Sequence, residues 1–391
     1  MDRYRTPTVA FIGALILFFL GLWLGGHPSE LPGGLRRAFV ASDTRVRDEL
    51  IDTIESDYYK KVPRSSLETA SLKGIVASLG DRFSRYLTPS ETKSFNTQLN
   101  GGEFAGVGIT VDPERRGLRV LSVIPGSPAA GVGIRAGDVI TRVDGRSIAG
   151  AAARTASSRI RGKPGTVVQL TVLVPGRGTR TLSVRRAKLR APVTEGRIVT
   201  RDGAKLGVTQ LSTFNEGAHR KLRDEVERLL RQGAKGIVLD LRGNGGGLLR
   251  EGRLVASIFI PKGLIVSTRG RTSPEEKLDA TGDAISPKIP VVVLVDGGTA
   301  SASEIVAGAL RDHHRATVVG TKTFGKGVFQ QIEPLSNGGV VDLTVGRFFL
   351  PNGENLAGRG IVPQVRAQDN PRTNRDEALA VALATLRARV G

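Results

Sequence analysis

The strongest constraint on the fold is an alternation of short apolar runs with amphipathic segments, which begins near residue 191. The strand-like runs and the helical patterns that follow them occupy 206–214, 218–232, 236–241, 248–260, 291–295 and 301–310. Repeated β–α units of this kind favour a largely parallel sheet with its ligand site at the carboxyl ends of the strands. Two loops that follow strands are rich in glycine, at 243–247 and 296–298. We therefore expect the chemistry of this chain at these two loops.

The region before this alternation has a different periodicity. From about residue 35 to residue 100, apolar residues recur at spacings of three and four, which predicts helices. Gly101 and Gly102 end this pattern, and a compact β-rich region follows. Its predicted strands cover 106–111, 118–124, 138–145 and 167–174.

The chain begins with a segment suited to a membrane. Residues 9–25 include no charge over 17 positions, and as a helix they would span about 26 Å, enough for a thin bilayer. Arg3 and Arg5 precede the segment, so the positive-inside rule places the remainder outside the cytoplasm. A cleaved signal peptide is the alternative, but no clear small-x-small cleavage site follows. We expect an uncleaved anchor and an extracytoplasmic working part.

Composition excludes several classes of function. The chain has no cysteine, which removes thiol nucleophiles, disulfides and thiolate metal sites, and we expect no metal or other cofactor. The 57 basic and 37 acidic residues give a net charge of +20, which favours anionic partners. Nucleic acid is not expected, because one Trp and four Tyr offer little for base stacking. We interpret the basic run at 185–190, which includes Arg186, as a solvated strand end or linker.

A candidate nucleophile follows the apolar run at 291–295. The segment GGTASASE at 297–304 passes directly into a predicted helix, which places Ser301 at the positive end of that helix. Free backbone N–H groups there stabilise an oxyanion. However, Ser301-x-x-Glu304 is also a capping box, which requires no catalysis. Taken alone, the segment favours the capping role.

A candidate general base lies in the segment TFGKGVFQ at 323–330. Lys326 stands between two glycines in an apolar stretch, so its amine is reachable while its neighbours would desolvate it. Desolvation lowers the pKa of a lysine, as a lysine base requires. A lysine that binds an anion or extends into solvent is the alternative. No histidine offers a better base, because His219 starts a surface helix and His313 lies at a polar, solvated helix end, and the sequence has no Gly-x-Ser-x-Gly elbow.

The loop at 243–247, with the sequence GNGGG, joins a predicted strand to a predicted helix. Consecutive glycines allow the backbone amides to point at an anion. A phosphate-binding loop is the alternative, but no Gly-Lys-Ser or Gly-Lys-Thr follows. The loop therefore fits a second oxyanion donor better.

Together, these segments resemble the C-terminal processing peptidases, the tail-specific serine–lysine proteases with an embedded PDZ domain. The matching blocks are LGDRFSRYLTPSE (79–91), EFAGVGI (103–109), GSPAAGVGIRAGDVITRVDG (126–145), IRGKPGTVVQL (160–170), DLRGNGGGLL (240–249), TASASEIVAGAL (299–310), TFGKGVFQ (323–330) and GRGIVPQV (358–365). Their order and spacing make the resemblance specific, and they cover nearly all of the chain after the apolar segment. It implies a serine endopeptidase that cleaves proteins near their C-terminal tails.

The resemblance implies a role for each matching residue. Ser301 falls on the family's nucleophile, Lys326 on its general base and Gln330 on the glutamine that assists the lysine. The oxyanion donors would be the backbone N–H of Ala302 and one from the glycine loop near Gly246. This loop departs from the family's Asn-Asn-Pro-Gly-Gly pattern, so the identity of the donating glycine stays open. Ser303 and Lys322 are the competing candidates for nucleophile and base.

The assignment of Gln330 depends on local backbone shape. In a straight strand, Lys326 and Gln330 would share a face but stand about 13 Å apart. Contact therefore requires a kink, which Gly325 and Gly327 make feasible.

The resemblance also implies a tail-binding site. A PDZ domain adds an extended peptide as a strand, while a loop of backbone amides receives the terminal carboxylate. That loop is matched by Gly106, Val107, Gly108 and Ile109, for which a glycine-rich strand start is the alternative. Arg161 resembles an arginine that couples peptide binding to activation in some family members.

The whole sequence therefore predicts an α/β and β multidomain protein. The expected divisions are a membrane anchor (1–30), a helical region (31–100), a PDZ domain (101–187) and a β/α serine-peptidase core (188–391). The expected partners are a protein or peptide with a free, apolar C-terminus and, through the N-terminal helix, a membrane. A non-catalytic PDZ-type adaptor at the cell envelope is the alternative function. A homo-oligomer and a regulatory partner both stay open.

Overall fold

The structure is a computed structural model that describes residues 15, 21, 42–124, 126–151, 153–189, 192–370, 373 and 375–390. The chain divides into two compact units, Met1–Arg82 and Phe83–Gly391. The predicted anchor at 9–25 lies outside the described residues, apart from Leu15 and Gly21. Within the described ranges, no helix combines the length and apolarity needed to cross a bilayer.

From residue 42 onward, the first unit forms α1 (Ser42–Asp57) and α2 (Arg64–Ala77). The Arg64 guanidinium at the start of α2 contacts two carboxylates of α1, Asp52 at 2.5 Å and Glu55 at 3.3 Å. Helices were expected throughout 31–100, but the second unit opens with a strand, β1 (Arg85–Leu87), followed by α3 (Pro89–Leu99). The helical periodicity therefore fails at β1, whose residues pair with a strand far along the chain.

An antiparallel sheet forms the next part of the second unit. Its elements and the short strands flanking it are β2 (Phe104–Gly106), β3 (Ile109–Glu114), β4 (Gly117–Val123), α4 (Pro128–Gly131), β5 (Val139–Val143), β6 (Arg146–Ser147), α5 (Ala153–Ile160), β7 (Val167–Val174), β8 (Gly178–Arg185) and β9 (Ala187–Leu189). The sheet order is β3-β4-β5-β7-β8, with β6 on β5, while β2 pairs with β9. Val168, Leu170 and Val172 are fully buried and alternate along β7, so one face of the sheet forms the core.

The remaining elements form a β/α core. In chain order they are β10 (Thr194–Arg201), β11 (Ala204–Leu211), α6 (Ala218–Arg231), β12 (Ile237–Asp240), α7 (Leu249–Ser257), β13 (Leu264–Gly270), β14 (Glu276–Asp279), β15 (Val291–Val295), α8 (Ala302–Asp312), β16 (Ala316–Gly320), β17 (Val328–Pro334), β18 (Val340–Phe349), β19 (Val365–Arg366) and α9 (Glu377–Arg387).

The central sheet of this core is mostly parallel, as the alternation predicts. Its order is β10-β11-β12-β15-β16-β19, and only β10 runs antiparallel to its neighbour. Buried side chains of β12 and β15 point alternately to two apolar clusters, one packed on α6, α7 and α8 and the other on α9. The sheet is therefore a buried middle layer. The two glycine-rich loops follow β12 and β15 and so lie at the same edge.

A second sheet lies in the same unit. In it, β18 pairs with β1, β13 and β17, and β13 also pairs with β14. The β17–β18 pairing shifts register between Phe329 and Gln330, which marks a β-bulge. Because β17 begins at Val328, this irregularity lies next to Lys326.

The interpretation of the basic run as solvated is wrong for Arg186. Only 9% of Arg186 is exposed, and its guanidinium donates to the carbonyl oxygens of Ile160 at 2.8 Å and Arg159 at 3.0 Å. These carbonyls belong to the last turn of α5, where a helix leaves its acceptors unpaired and a cation is favourable. The Arg186 guanidinium therefore caps the C-terminal end of α5.

Candidate active site

The two glycine-rich loops are fastened to each other by one carboxylate. Oδ1 of Asp296 accepts hydrogen bonds from the backbone N–H groups of Gly243 at 2.9 Å, Gly298 at 2.9 Å and Thr299 at 3.1 Å. A Cβ atom on Gly298 would lie 3.0 Å from Cα of Gly243, so the close approach favours glycine. The loops after β12 and β15 consequently form a single platform.

Ser301 stands on this platform in an unusual backbone conformation. Its φ of 59° and ψ of −120° lie outside the regions that residues with a side chain normally occupy. A Cβ atom on Gly246 would lie 2.8 Å from Cβ of Ser301 and 2.9 Å from the N atom of Ala302, so the glycine loop packs directly against the serine. Strained residues of this kind concentrate at functional sites, which favours a role beyond helix capping.

Glu304 joins the serine to the lysine segment. Its buried carboxylate accepts a hydrogen bond from the Ser301 N–H at 2.9 Å, as expected for a capping box. The same oxygen, Oε2, accepts from the Lys326 N–H at 3.0 Å. The other oxygen accepts from Thr323 Oγ1 at 2.6 Å and the Gly325 N–H at 2.7 Å. Sequence reasoning assigned Glu304 only the capping contact, because its other partners come from a distant segment.

The kink that Gln330 requires is present. Gly325 and Gly327 have φ values of 83° and 63°, and a Cβ atom on Gly327 would lie 2.2 Å from the N atom of Ala357. Together with the bulge at the start of β17, these glycines bring Lys326 Nζ to 2.5 Å from Gln330 Oε1. The backbone therefore turns back where a straight strand would separate the two side chains.

One cleft of about 750 Å³ brings the sequence-predicted site residues together. It is lined by Ser301, Ala302, Gly246, Lys326, Gln330, Gly106, Val107, Gly108, Ile109 and Arg161. The groove between β3 and α5 opens into the same space, where it contributes Val111 and Ile160. A peptide could therefore contact the glycine loop at β2–β3 and Ser301 at once.

The two competing residues lie elsewhere. Ser303 is fully buried, and its Oγ donates to the carbonyl oxygen of Asn244 at 2.8 Å, which is a structural role. Lys322 is exposed on the surface. Burial and position thus favour Ser301 and Lys326 over these neighbours.

The predicted oxyanion donors differ in availability. The Gly246 N–H already donates to Oδ1 of Asn244 at 2.9 Å, so in this arrangement it does not point at a substrate oxyanion. The local Asn-x-Gly turn explains the difference, because an asparagine side chain readily bonds the amide two residues on. The Ala302 N–H, by contrast, meets no acceptor in the described part of the chain.

The glycine loop is also held from outside by a partly buried ion-pair network. Arg242, the residue before the loop, contacts Asp240 at 2.7 Å and Asp376 at 2.9 Å. Burial alone would raise the pKa of Asp376, but hydrogen bonds from Arg242 and from the Leu379 N–H outweigh it and lower that pKa. The network fastens the loop to the start of α9.

Of the histidines that the structure describes, none lines the cleft, although His219 and His313 are less solvated than expected. His313 Nε2 lies 2.7 Å from the carbonyl oxygen of Leu264, and His219 Nδ1 lies 2.8 Å from Glu251 Oε2. Both rings are therefore held by structural hydrogen bonds. Across the described residues, no group of His, Asp and Glu is arranged to hold a metal ion.

Two parts of this chain match known protein families. Residues 205–367 match the sequence profile of peptidase family S41, and residues 94–173 match that of the PDZ domain. The chain is 36% identical over 334 residues to a probable CtpA-like serine protease of Staphylococcus aureus, covering 85% of this chain and 66% of that protein. A probable CtpA-like serine protease of Staphylococcus haemolyticus is 35% identical over 316 residues, covering 80% and 62%. The chain thus spans somewhat less than two thirds of the length of these relatives.

Solved structures show the same likeness. The photosystem II D1 C-terminal processing protease superposes with a TM-score of 0.62 at 30% identity, covering 90% of this chain and all of that one. An S41 protease from Bacteroides fragilis, described as putative, shares the fold with a TM-score of 0.55 at 20% identity, over 87% and 96% of the two chains.

Proposed function

This chain belongs to peptidase family S41, whose C-terminal processing members combine a serine peptidase core with a PDZ domain, and we propose that it is a serine endopeptidase that cleaves proteins near their C-terminal tails. The observation that carries the proposal is the bridge made by Glu304. One oxygen of its carboxylate accepts from the backbone N–H groups of both Ser301 and Lys326, and both residues line the same cleft, which supports their pairing as nucleophile and base.

In the proposed reaction, Lys326 carries a proton from Ser301 to the departing amine, and later a proton from water back to Ser301. The uncharged Lys326 amine takes the proton of Ser301 Oγ as the oxygen attacks the peptide carbonyl. The Ala302 N–H and an amide of the glycine loop stabilise the oxyanion. The lysine then protonates the departing amine, which leaves an acyl-enzyme. Water, deprotonated by the same lysine, hydrolyses the ester and restores Ser301, while Gln330 Oε1 orients the amine throughout.

The loop Gly106–Val107–Gly108–Ile109 would receive the carboxylate of the substrate tail. The tail would extend along the groove between β3 and α5 as an added strand. An apolar tail is expected, because Val111 and Ile160 line that groove. Arg161, which borders the same cleft, would couple tail binding to the catalytic residues.

The placement of the protein in the cell also belongs to this proposal. Residues 1–30 would anchor the chain in a membrane and leave 31–100, the PDZ domain at 101–187 and the peptidase core at 188–391 outside the cytoplasm. A homo-oligomer or a regulatory partner is compatible with this arrangement. Deletion of residues 1–30 should release the protein from the membrane fraction, and a protein that still sediments with membranes would contradict the anchor.

Substitution of the two catalytic candidates tests the activity. Ser301→Ala and Lys326→Ala should each lower the rate of tail cleavage by at least about 10³-fold, because each removes a group that acts only in the chemical step. Cleavage of an unfolded protein with an apolar tail measures the rate, and circular dichroism confirms the fold. Lys322→Ala is the matched lysine control and should retain activity.

A serine-reactive phosphonate probe separates the peptidase from a non-catalytic PDZ-type adaptor. The wild type and Ser303→Ala should be labelled, whereas Ser301→Ala should not. Full cleavage by purified Ser301→Ala and Lys326→Ala would refute the proposed function. An unlabelled, inactive wild type that still binds tails would favour the adaptor.

A further inference from the structure

The catalytic lysine is contacted by a segment that precedes both matched regions of the chain. Phe83 and Ser84 come immediately before β1, whereas the PDZ match begins at residue 94 and the peptidase match at residue 205. The mechanism above gives these two residues no role. Their contacts nevertheless lead to Lys326 by two separate routes.

The first route is a chain of hydrogen bonds through Thr344. This residue lies opposite Gln330 in the β17–β18 pairing, and its Oγ1 accepts a hydrogen bond from Gln330 Nε2 at 2.9 Å. Because Nε2 is held there, the oxygen of the same amide faces Lys326 Nζ at 2.5 Å. A reversed amide would present two N–H donors to the lysine, which has only donors when protonated. The donors of Lys326 therefore select the oxygen of Gln330, and the Thr344 hydroxyl anchors the other end of the same amide.

Ser84 holds Thr344 in place. The Thr344 N–H donates to Ser84 Oγ at 2.9 Å. The next residue, Arg85, pairs with Asp342 in the β1–β18 register, and their side chains meet at 3.1 Å. The segment is thus fixed to β18 at two adjacent points, which limits how far Ser84 and Thr344 can separate.

The second route is aromatic. Lys326 Nζ lies 5.4 Å from the centroid of the Phe83 ring, within the range of a cation–π contact. The Phe83 ring in turn packs edge-on against Phe324, with centroids 6.4 Å apart. The amine is therefore confined between a carbonyl oxygen on Gln330 and the face of an aromatic ring.

We propose that Phe83, Ser84 and Thr344 are positioning residues that hold Lys326 in line with Ser301. This inference rests on the proposed function and adds three residues to it. They act on the orientation of the amine, not on substrate binding, so their loss should lower kcat and leave KM nearly unchanged.

The first test changes Thr344. Thr344→Val keeps the shape of the side chain and removes the acceptor for Gln330 Nε2, and it should lower kcat about tenfold with KM within twofold of the wild type. Thr344→Ser restores the hydroxyl and should recover most of kcat, which a loss of packing alone would not allow. Thr209→Val is the matched control. Thr209 is buried, its Oγ1 lies 2.9 Å from Oγ1 of Thr194, and it does not line the cleft.

The second test changes Phe83 and does not depend on whether Thr344→Val folds. Phe83→Leu keeps an apolar side chain without a ring, and it should lower kcat several-fold, whereas Phe83→Tyr should retain it. Thermal melting measures the fold of every variant. Wild-type kcat in folded Thr344→Val and Phe83→Leu, or an equal loss in Thr344→Val and Thr344→Ser, would overturn the proposal.

The experiments distinguish failure of the positioning role from failure of the peptidase assignment. If Ser301→Ala is inactive while Thr344→Val and Phe83→Leu are fully active, only the positioning role is wrong. If Ser301→Ala itself cleaves at the wild-type rate, the peptidase assignment is wrong.

Discussion

At the scale of single residues, Ser301 stores backbone strain. A residue with a side chain in such a conformation costs about 1–3 kcal/mol, whereas glycine adopts it freely. Ser301→Gly should therefore be more stable than Ser301→Ala by about 1 kcal/mol, once the greater freedom of glycine in the unfolded chain is subtracted. Both variants should be inactive. Urea unfolding followed by circular dichroism measures the difference.

Ser303 provides the control, since it has helical geometry two residues further on. Ser303→Gly should be less stable than Ser303→Ala, as is usual inside a helix. If Ser301→Gly is also the less stable of its pair, the backbone at Ser301 is not strained, and the structural argument for its special role fails.

The residues of the site differ in how far sequence could predict them. Ser301 and Lys326 stand in recognisable local patterns, a strand-to-helix turn and a lysine flanked by glycines. The bridging role of Glu304 depends on Thr323 and Lys326, which come 19 and 22 residues later, so the local pattern gave only a helix cap. The occupied amide of Gly246 depends on which way Asn244 turns, and sequence does not specify this.

At the scale of elements, the ion pair of Arg242 with Asp376 joins the glycine loop to α9. Because the folded pKa of Asp376 is lowered, its carboxylate stabilises the folded state above the ordinary aspartate pKa of about 3.9. That contribution is lost as the pH falls through the lowered value. The free energy of unfolding should therefore fall less between pH 5 and pH 2 in Asp376→Asn than in the wild type, as measured by urea unfolding.

Asparagine still caps α9, where Asp376 accepts from the Leu379 N–H, so the substitution isolates the charge. Asp224→Asn, which removes an exposed carboxylate of α6, is the control for the loss of one negative charge. Parallel curves for Asp376→Asn and the wild type would show that the ion pair contributes little.

At the scale of the whole molecule, the sequence predicts the parallel sheet and the antiparallel sheet, but not the second sheet of the core, in which β18 pairs with β1, β13 and β17. The parallel sheet follows from neighbouring β–α units, whose pairing is local. The pairing of β1 with β18 joins Arg85 to Asp342, 257 residues apart, and no periodicity records such a register. The proposed positioning of Lys326 depends on this long-range pairing, so the residues before β1 carry a family resemblance in the sequence but no local sign of a link to the lysine.

The shared cleft makes a prediction about the substrate tail. The PDZ loop at 106–109 and Ser301 line one space, so a tail bound by its carboxylate should be cleaved more efficiently than one without it. A peptide with a free C-terminus should exceed its amidated form by about tenfold or more in kcat/KM, since hydrogen bonds to a charged carboxylate are each worth about 1.5–3 kcal/mol. Comparison of the two peptides at low concentration measures the ratio.

Substitution of Gly108 tests whether the preference for the free C-terminus arises at the loop 106–109. Its φ is 88°, and a Cβ atom there would lie 2.2 Å from Cβ of Ser127, so Gly108→Ala must displace the loop. This variant should cleave both peptides at similar, low rates while the phosphonate probe still labels Ser301. Equal rates for both peptides in the wild type would mean that the loop does not read the carboxylate. In that case the serine chemistry would stand, and the tail would be selected along the groove alone.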